Sequence, residues 1–308
     1  MPIATPDGLS FILLVCNQTA ALKTALTAWT ETLTKLKRPY EIIVVDDGST
    51  DETTPYLAQL KSTDEQQGPF AHLRVFRHAS RRGYGACLRT AMAEARQPLV
   101  FYTGLDYPYA PADLPKLLKR LEQVEPPDPL QEGLRDPEPS PKLDLVNGFR
   151  AVTPVPRWLR VMGAIWRGAL RVLLGLPTVP LPGWLGWPAQ RYRFKIRALF
   201  GVRLRDIDSK FKLFRRKIFE RFPIQSDGAF VHAEILAKAN FLGCYMDEVP
   251  VAERPGPFAP IPEPPPAPPT VRQEMKRVFR NPIFLPPRSE PQEAKSPASE
   301  SPKDLLPP

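Results

Sequence analysis

The run EIIVVDDGSTDET, from Glu41 to Thr53, narrows more than any other segment what this chain can fold into. Ile42 to Val45 make a short, unbroken apolar stretch of β-branched residues, the pattern of a parallel strand buried on both faces. The strand ends on two carboxylates, Asp46 and Asp47, and a glycine and a helix start follow at once. Ligands of open α/β sheets bind outside the carboxyl ends of the strands, so two acids at that edge face a crevice. Ser49 and Glu52 stand at capping-box spacing. That spacing accounts for a helix start but leaves the acid pair unexplained.

The flanking text repeats the same alternation. SFILLVC reads as a first strand, ALKTALTAWTETLTKL as a helix, ETTPYLAQLKS as the helix after the acid pair, and HLRVFRH as a third strand. RRGYGACLRTAMAEA is a glycine turn entering a helix, QPLVFYTGLD a fourth strand ending on Asp106, and APADLPKLLKRLEQV another helix. Strands alternating with helices predict an α/β fold: a doubly wound, mostly parallel sheet with helices on both faces. LDLVNGFR, SKFKLFRR and YMDEVPVAER read as further strands, and FVHAEILAKANFLG as a helix. The 40 prolines cluster in 126–141 and again from 250 to the end. The domain is therefore placed at 8–253 with a Pro-rich insertion at 126–141. The tail, 254–308, is expected to be extended polyproline or disordered.

With the strand and its acids in place, D-D-G-S-x-D resembles the nucleotide-binding motif of family 2 glycosyltransferases, which have a GT-A fold. The resemblance implies that Asp47, with Asp46 beside it, binds the nucleoside of a nucleotide-sugar donor. Asn17, in Leu14-Val15-Cys16-Asn17-Gln18, falls where the family reads P-x-x-N-E; it is either a base contact or a turn residue. Arg82-Gly83-Tyr84-Gly85 is similar to the family's N-x-G-x-G turn, which implies donor contacts for Arg82 and Gly83. Gly104-Leu105-Asp106 falls at the family's D-x-D, which implies a catalytic, metal-holding Asp106 for Mg²⁺ or Mn²⁺, with Gly104 weakening the site. The stretch from Arg205 to Arg216 looks like the D-x-x-x-G-F-[KR]-L-F-R-R segment of the polyprenyl-phosphate sugar transferase branch, with Lys210 where glycine is usual. That likeness implies phosphate or acceptor contacts from Asp208 and Lys212, and from Arg150 at a G-x-R-like strand end. Glu234 matches a glutamate frequent in the branch, as a general base or as a salt-bridge residue. His232 reads as structural.

Charge points to the partner. Seventeen Lys and Arg lie between Arg150 and Arg221 against Asp206, Asp208 and Glu220, so this block alone exceeds the whole chain's +9. Such asymmetry predicts an anionic partner. On a helix over 157–174, Arg157, Arg160, Arg167 and Arg171 share one face opposite Trp158, Ile165 and Trp166, the pattern of a helix lying in a membrane interface. The basic section 157–197 is thus expected on an anionic membrane surface. No helix-turn-helix, zinc-finger or RNP-like text supports nucleic acid. Cys16, Cys87 and Cys244 are too scattered for a disulfide framework or zinc site. Neither a signal peptide nor an 18-residue apolar span is read, so the expected place is cytoplasmic, peripheral on the inner face of the membrane. The expected activity is sugar transfer to a lipid phosphate. A catalytically weak module of the same fold, and transfer to a soluble or polysaccharide acceptor, stay open.

Overall fold

Seven strands form one sheet in the order β3-β2-β1-β4-β6-β5-β7. The computed structural model describes residues 7–63, 70, 72–105, 109–123, 142–150, 187–252 and 270–286. Its strands are β1 (Leu9–Val15), β2 (Tyr40–Asp46), β3 (Leu73–Arg77), β4 (Leu99–Gly104), β5 (Leu145–Arg150), β6 (Lys212–Arg215) and β7 (Met246–Val251). Its helices are α1 (Thr19–Lys35), α2 (Thr53–Thr63), α3 (Tyr84–Glu94), α4 (Leu114–Glu122), α5 (Trp187–Phe200), α6 (Val231–Phe241) and α7 (Val271–Arg280). Among the described strands, only β6 runs antiparallel to its neighbours; the other pairs are parallel. The expected α/β architecture is therefore the one observed. The basic helix read at 157–174 lies outside the described residues.

Pleating sends alternate strand residues to opposite faces, and each face has its own core. Phe11, Leu13, Ile42 and Val44 meet Leu22, Leu26 and Trp29 of α1 and Leu117 and Leu121 of α4. Ile12, Leu14, Ile43 and Val45 meet Leu88 of α3, Ile196 of α5, Leu236 of α6 and Met275 of α7. Burial on both sides is why β2 carries no polar residue between Glu41 and Asp46.

Two local readings change. The capping box at Ser49 and Glu52 does not form, because Asp46 Oδ1 already accepts the Ser49 N–H at 3.0 Å. The helix starts later, at Thr53, whose N–H is capped by Asp51 Oδ1 at 3.0 Å. Residues 270–286, placed in the tail by their surroundings, differ from the polyproline or disorder expected there. The stretch from Val271 to Asn281 holds no proline, and Val271, Met275 and Val278 recur at helical spacing. Thr270 and Gln273 close a capping box, and Met275 and Val278 enter the core.

Glu274 faces inward with them and is only 1% exposed. Its Oε1 accepts the N–H groups of Asp227 at 2.7 Å and Gly228 at 2.8 Å. Those two amides lose their acceptor in Glu274→Ala, so urea unfolding should show a loss of about 1–3 kcal/mol, the cost of stranding buried donors. Arg272→Ala, on the solvent face of the same helix, should stay within about 0.5 kcal/mol of wild type. Equal effects would deny Glu274 this bracing role.

Candidate functional site

The carboxyl ends of β1, β2 and β3 and the first turn of α3 meet at one place. Asp46 and Asp47 leave β2 on opposite sides. Asp46 is fully buried and its Oδ2 accepts from Thr54 Oγ1 at 2.5 Å, with Arg77 Nε 3.7 Å away. Together with the Ser49 contact, this makes Asp46 the brace of its own loop. Asn17 braces the same loop from β1. With its backbone at φ 53°, its Oδ1 accepts the Thr50 N–H at 2.8 Å, and its own N–H donates to Ser49 Oγ at 2.9 Å.

Asp47 turns toward α3. Its Oδ1 accepts the Arg82 N–H at 2.8 Å and its Oδ2 the Gly83 N–H at 2.7 Å. His78 Nδ1 lies 2.9 Å from Oδ1, and His78 Nε2 lies 2.9 Å from Thr90 Oγ1. The turn needs glycine at 83. Its φ is +99°, and a Cβ there would overlap the carbonyl oxygen of Asp227. The Cys87 thiol interacts with the same carboxylate. A cleft lies beside it, lined by Cys16, Gln18, Asp47, Arg81, Gly83 and Tyr84 among others.

The basic half is arranged differently from the expectation. Arg150 donates from Nε and Nη2 to the two carboxylate oxygens of Asp206, at 2.6 and 2.8 Å. Arg193 adds a bond at 2.9 Å to the same carboxylate. Burial works against this carboxylate's charge, but the two guanidiniums hold it below the usual range. Lys212 is fully buried; its Nζ donates to the backbone carbonyls of Ile207, at 3.3 Å, and Ser209. Asp208 is half-buried beside Arg193 Nε, 3.9 Å away. These three do not sit together at the cleft. Arg150 and Lys212 are part of an internal charge network because β5 and β6 are central strands, and an inward residue there must find its partner inside.

Glu234 is likewise spent: its carboxylate accepts the N–H groups of Gln225 at 2.7 Å and Ser226 at 2.8 Å and pairs with Lys238 at 2.8 Å. His232 Nδ1 lies 2.9 Å from the Tyr102 hydroxyl. Burial, with Lys210, Lys212 and Arg150 nearby, holds its imidazole well below the ordinary range.

Asp106 lies outside the described residues, and Gly104, which ends β4, brings no ligand. Among the described residues the group with metal-binding atoms is Asp47, His78 and Cys87, within 4.8 Å of one another. Hard cations such as Mg²⁺ and Mn²⁺ take oxygen ligands. Here one carboxylate stands against an imidazole and a thiol, and burial with the Asp47 charge pushes the thiol up, away from thiolate. That trio does not fit a Mg²⁺ or Mn²⁺ ion.

Sequence reasoning passed over His78, Tyr84 and Asp206. The register offered one signal: β2 and β3 pair Asp46 with Arg77, which puts Asp47 beside His78.

Burial lowers the Lys212 amine from 10.5 to about 7, against the pull of Asp206 and Asp208. Between those two values the unfolded chain binds more protons than the folded one, so stability climbs as pH rises through the window. Chemical unfolding from pH 7.5 to 10 should show that climb in wild type and a shallower one in Lys212→Met. Parallel curves would remove Lys212 as its source.

Residues 10–127 match the family model described as Glycosyl transferase family 2. The chain is 26% identical over 254 residues to a dolichyl-phosphate beta-glucosyltransferase of Saccharomyces cerevisiae, covering 79% of this chain. It spans just under two thirds, 66%, of that relative's length. Its fold is also similar to that of glucosyl-3-phosphoglycerate synthase from Mycobacterium tuberculosis, solved with Mn²⁺, UDP-glucose and phosphoglyceric acid. The TM-score is 0.47 at 18% identity, over 89% of this chain and 76% of that one.

Proposed function

Residues 10–127 belong to glycosyl transferase family 2, and from that premise we propose that the protein moves a sugar from a nucleotide donor to a lipid phosphate. The observation that carries the donor half is the cleft at the β2 edge. Asp47 is fixed there by two backbone N–H groups and an imidazole, and it lines the cleft. A base imide or ribose hydroxyl is the kind of donor a carboxylate at that edge can accept from. Cys16, Gln18 and Tyr84 wall the same cleft. Asp106, two residues after Gly104 in the sequence, is the proposed holder of Mg²⁺ or Mn²⁺, which when bound would stabilise the leaving diphosphate as a Lewis acid.

The acceptor half rests on the name of the yeast relative and on chemistry. A phosphate acceptor is already anionic near neutral pH. Its oxygen attacks the anomeric carbon while the bond to the diphosphate breaks, and the diphosphate leaves with the electron pair. No proton has to be removed. That suits a site in which Glu234 is buried under two amides and a lysine. The proposed place is the cytoplasmic, inner face of a membrane, reached through the basic section 157–197. No helix among the described residues is long and apolar enough to cross a membrane.

Calorimetry with a panel of nucleotide sugars tests the donor half. Asp47→Asn keeps the size of the side chain and removes its charge; affinity for the preferred nucleotide should fall by about 1.5–3 kcal/mol, the value of a hydrogen bond to a charged group. Unchanged affinity in a folded variant removes Asp47 from the site. Sedimentation with anionic vesicles tests the acceptor half. Binding should weaken as salt screens the arginines, with a remainder that salt does not abolish because apolar insertion is unscreened. A chain that ignores such vesicles at low salt has a soluble acceptor.

A further inference from the structure

A diphosphate needs positive charge beside the cleft, and the two cations first expected to supply it point elsewhere. Arg150 is held by both oxygens of Asp206, and Lys212 is buried against backbone carbonyls. Lys210 is differently placed. It stands in the loop before β6, where its N–H donates to the Tyr109 hydroxyl at 3.1 Å. Its side chain runs the other way, toward the first turn of α3. There Nζ donates to the Tyr84 hydroxyl at 3.0 Å and lies 4.1 Å from the centre of the Tyr84 ring. Tyr84 is a wall of the Asp47 cleft. The ammonium group is thus held against a residue that walls the cleft, and Lys210 is only partly buried.

We propose that Lys210 binds the diphosphate of the nucleotide donor, with Tyr84 as the platform that aims it. The assignment rests on the nucleotide-sugar reading above and adds the residue that recognises the charged part of the donor. Two features favour it. Lysine binds phosphate as a compact point charge with three rotatable donors, so its charge reaches phosphate oxygens while the Tyr84 hydroxyl orients it. The Tyr84 ring face attracts the ammonium, which limits the freedom that a long side chain otherwise loses on binding. Gly104 adds a reason for need: with glycine there, β4 ends without a second carboxylate to hold a metal on the diphosphate.

The test is calorimetry with UDP, GDP, ADP, CDP and TDP, followed by the tightest binder and its parent nucleoside on Lys210 variants. Lys210→Gln should bind that diphosphate roughly 10- to 150-fold more weakly, the span for a lost charge-assisted bond. Its affinity for the nucleoside should stay within about twofold, since the base pocket at Asp47 is untouched. Lys210→Arg, which keeps the charge, should recover most of the loss. Equal diphosphate affinity in wild type and Lys210→Gln overturns the assignment and leaves the donor reading standing. Parallel losses for diphosphate and nucleoside also overturn it, because Lys210 would then act only by positioning Tyr84. A wild-type chain that binds none of the five overturns the donor reading and this assignment with it.

Discussion

The bond pair from Asp47 to the Arg82 and Gly83 amides holds the rest of the site in place. A helix start leaves its first N–H groups without partners in the helix, and a turn at positive φ exposes further amides. Here the carboxylate at the end of β2 takes two of them, at 2.8 and 2.7 Å. Beyond Tyr84, the N–H groups of Gly85 and Ala86 both donate to the carbonyl oxygen of Asp227. The turn is therefore pinned from the first half of the chain on one side and from the second half on the other. Arg89, one turn further along α3, adds an ion pair to Asp227 and a 2.8 Å bond to the Ser226 carbonyl. A cleft built this way has walls set by backbone hydrogen bonds, which have less freedom than side chains on a loop.

Much of this is legible in the sequence. A β-branched run ended by two acids, read with its flanking helices, predicts the strand, the sheet type and the edge where Asp47 sits. Less legible is the direction of each side chain. Asp46 and Asp47 are neighbours in sequence, yet the pleat turns one into its own loop and the other toward α3. Lys212 looks like a ligand because the segment's resemblance puts a phosphate-facing Lys or Arg at that position. Its burial depends on β6 lying between β4 and β5, a pairing fixed by residues more than 60 positions away in the chain. Arg150 presents the same difficulty: only the fold brings Asp206 to it. Charge composition shows that anion-binding groups are present but not which of them are already paired.

The same ambiguity affects the tail. Proline density describes a neighbourhood, whereas a helix needs only a proline-free window with an apolar stripe. Val271 to Asn281 is such a window. What lifts it from a marginal ten-residue helix is tertiary burial of Met275 and Val278 and the inward carboxylate of Glu274.

That carboxylate extends the pinned turn by one more link. Glu274 takes the N–H groups of Asp227 and Gly228; the Asp227 carbonyl takes those of Gly85 and Ala86; the turn before them gives its amides to Asp47. Each link consists of two hydrogen bonds on one acceptor group, a geometry that resists rotation better than a single bond. The chain between β7 and α7 is rich in proline, and proline lowers the conformational freedom of the unfolded chain. Docking α7 therefore costs less entropy than closing a flexible loop of equal length. A segment that composition assigns to a tail thus carries part of the rigidity of the cleft, and the loop at 226–228 is where the two halves of the fold transmit it.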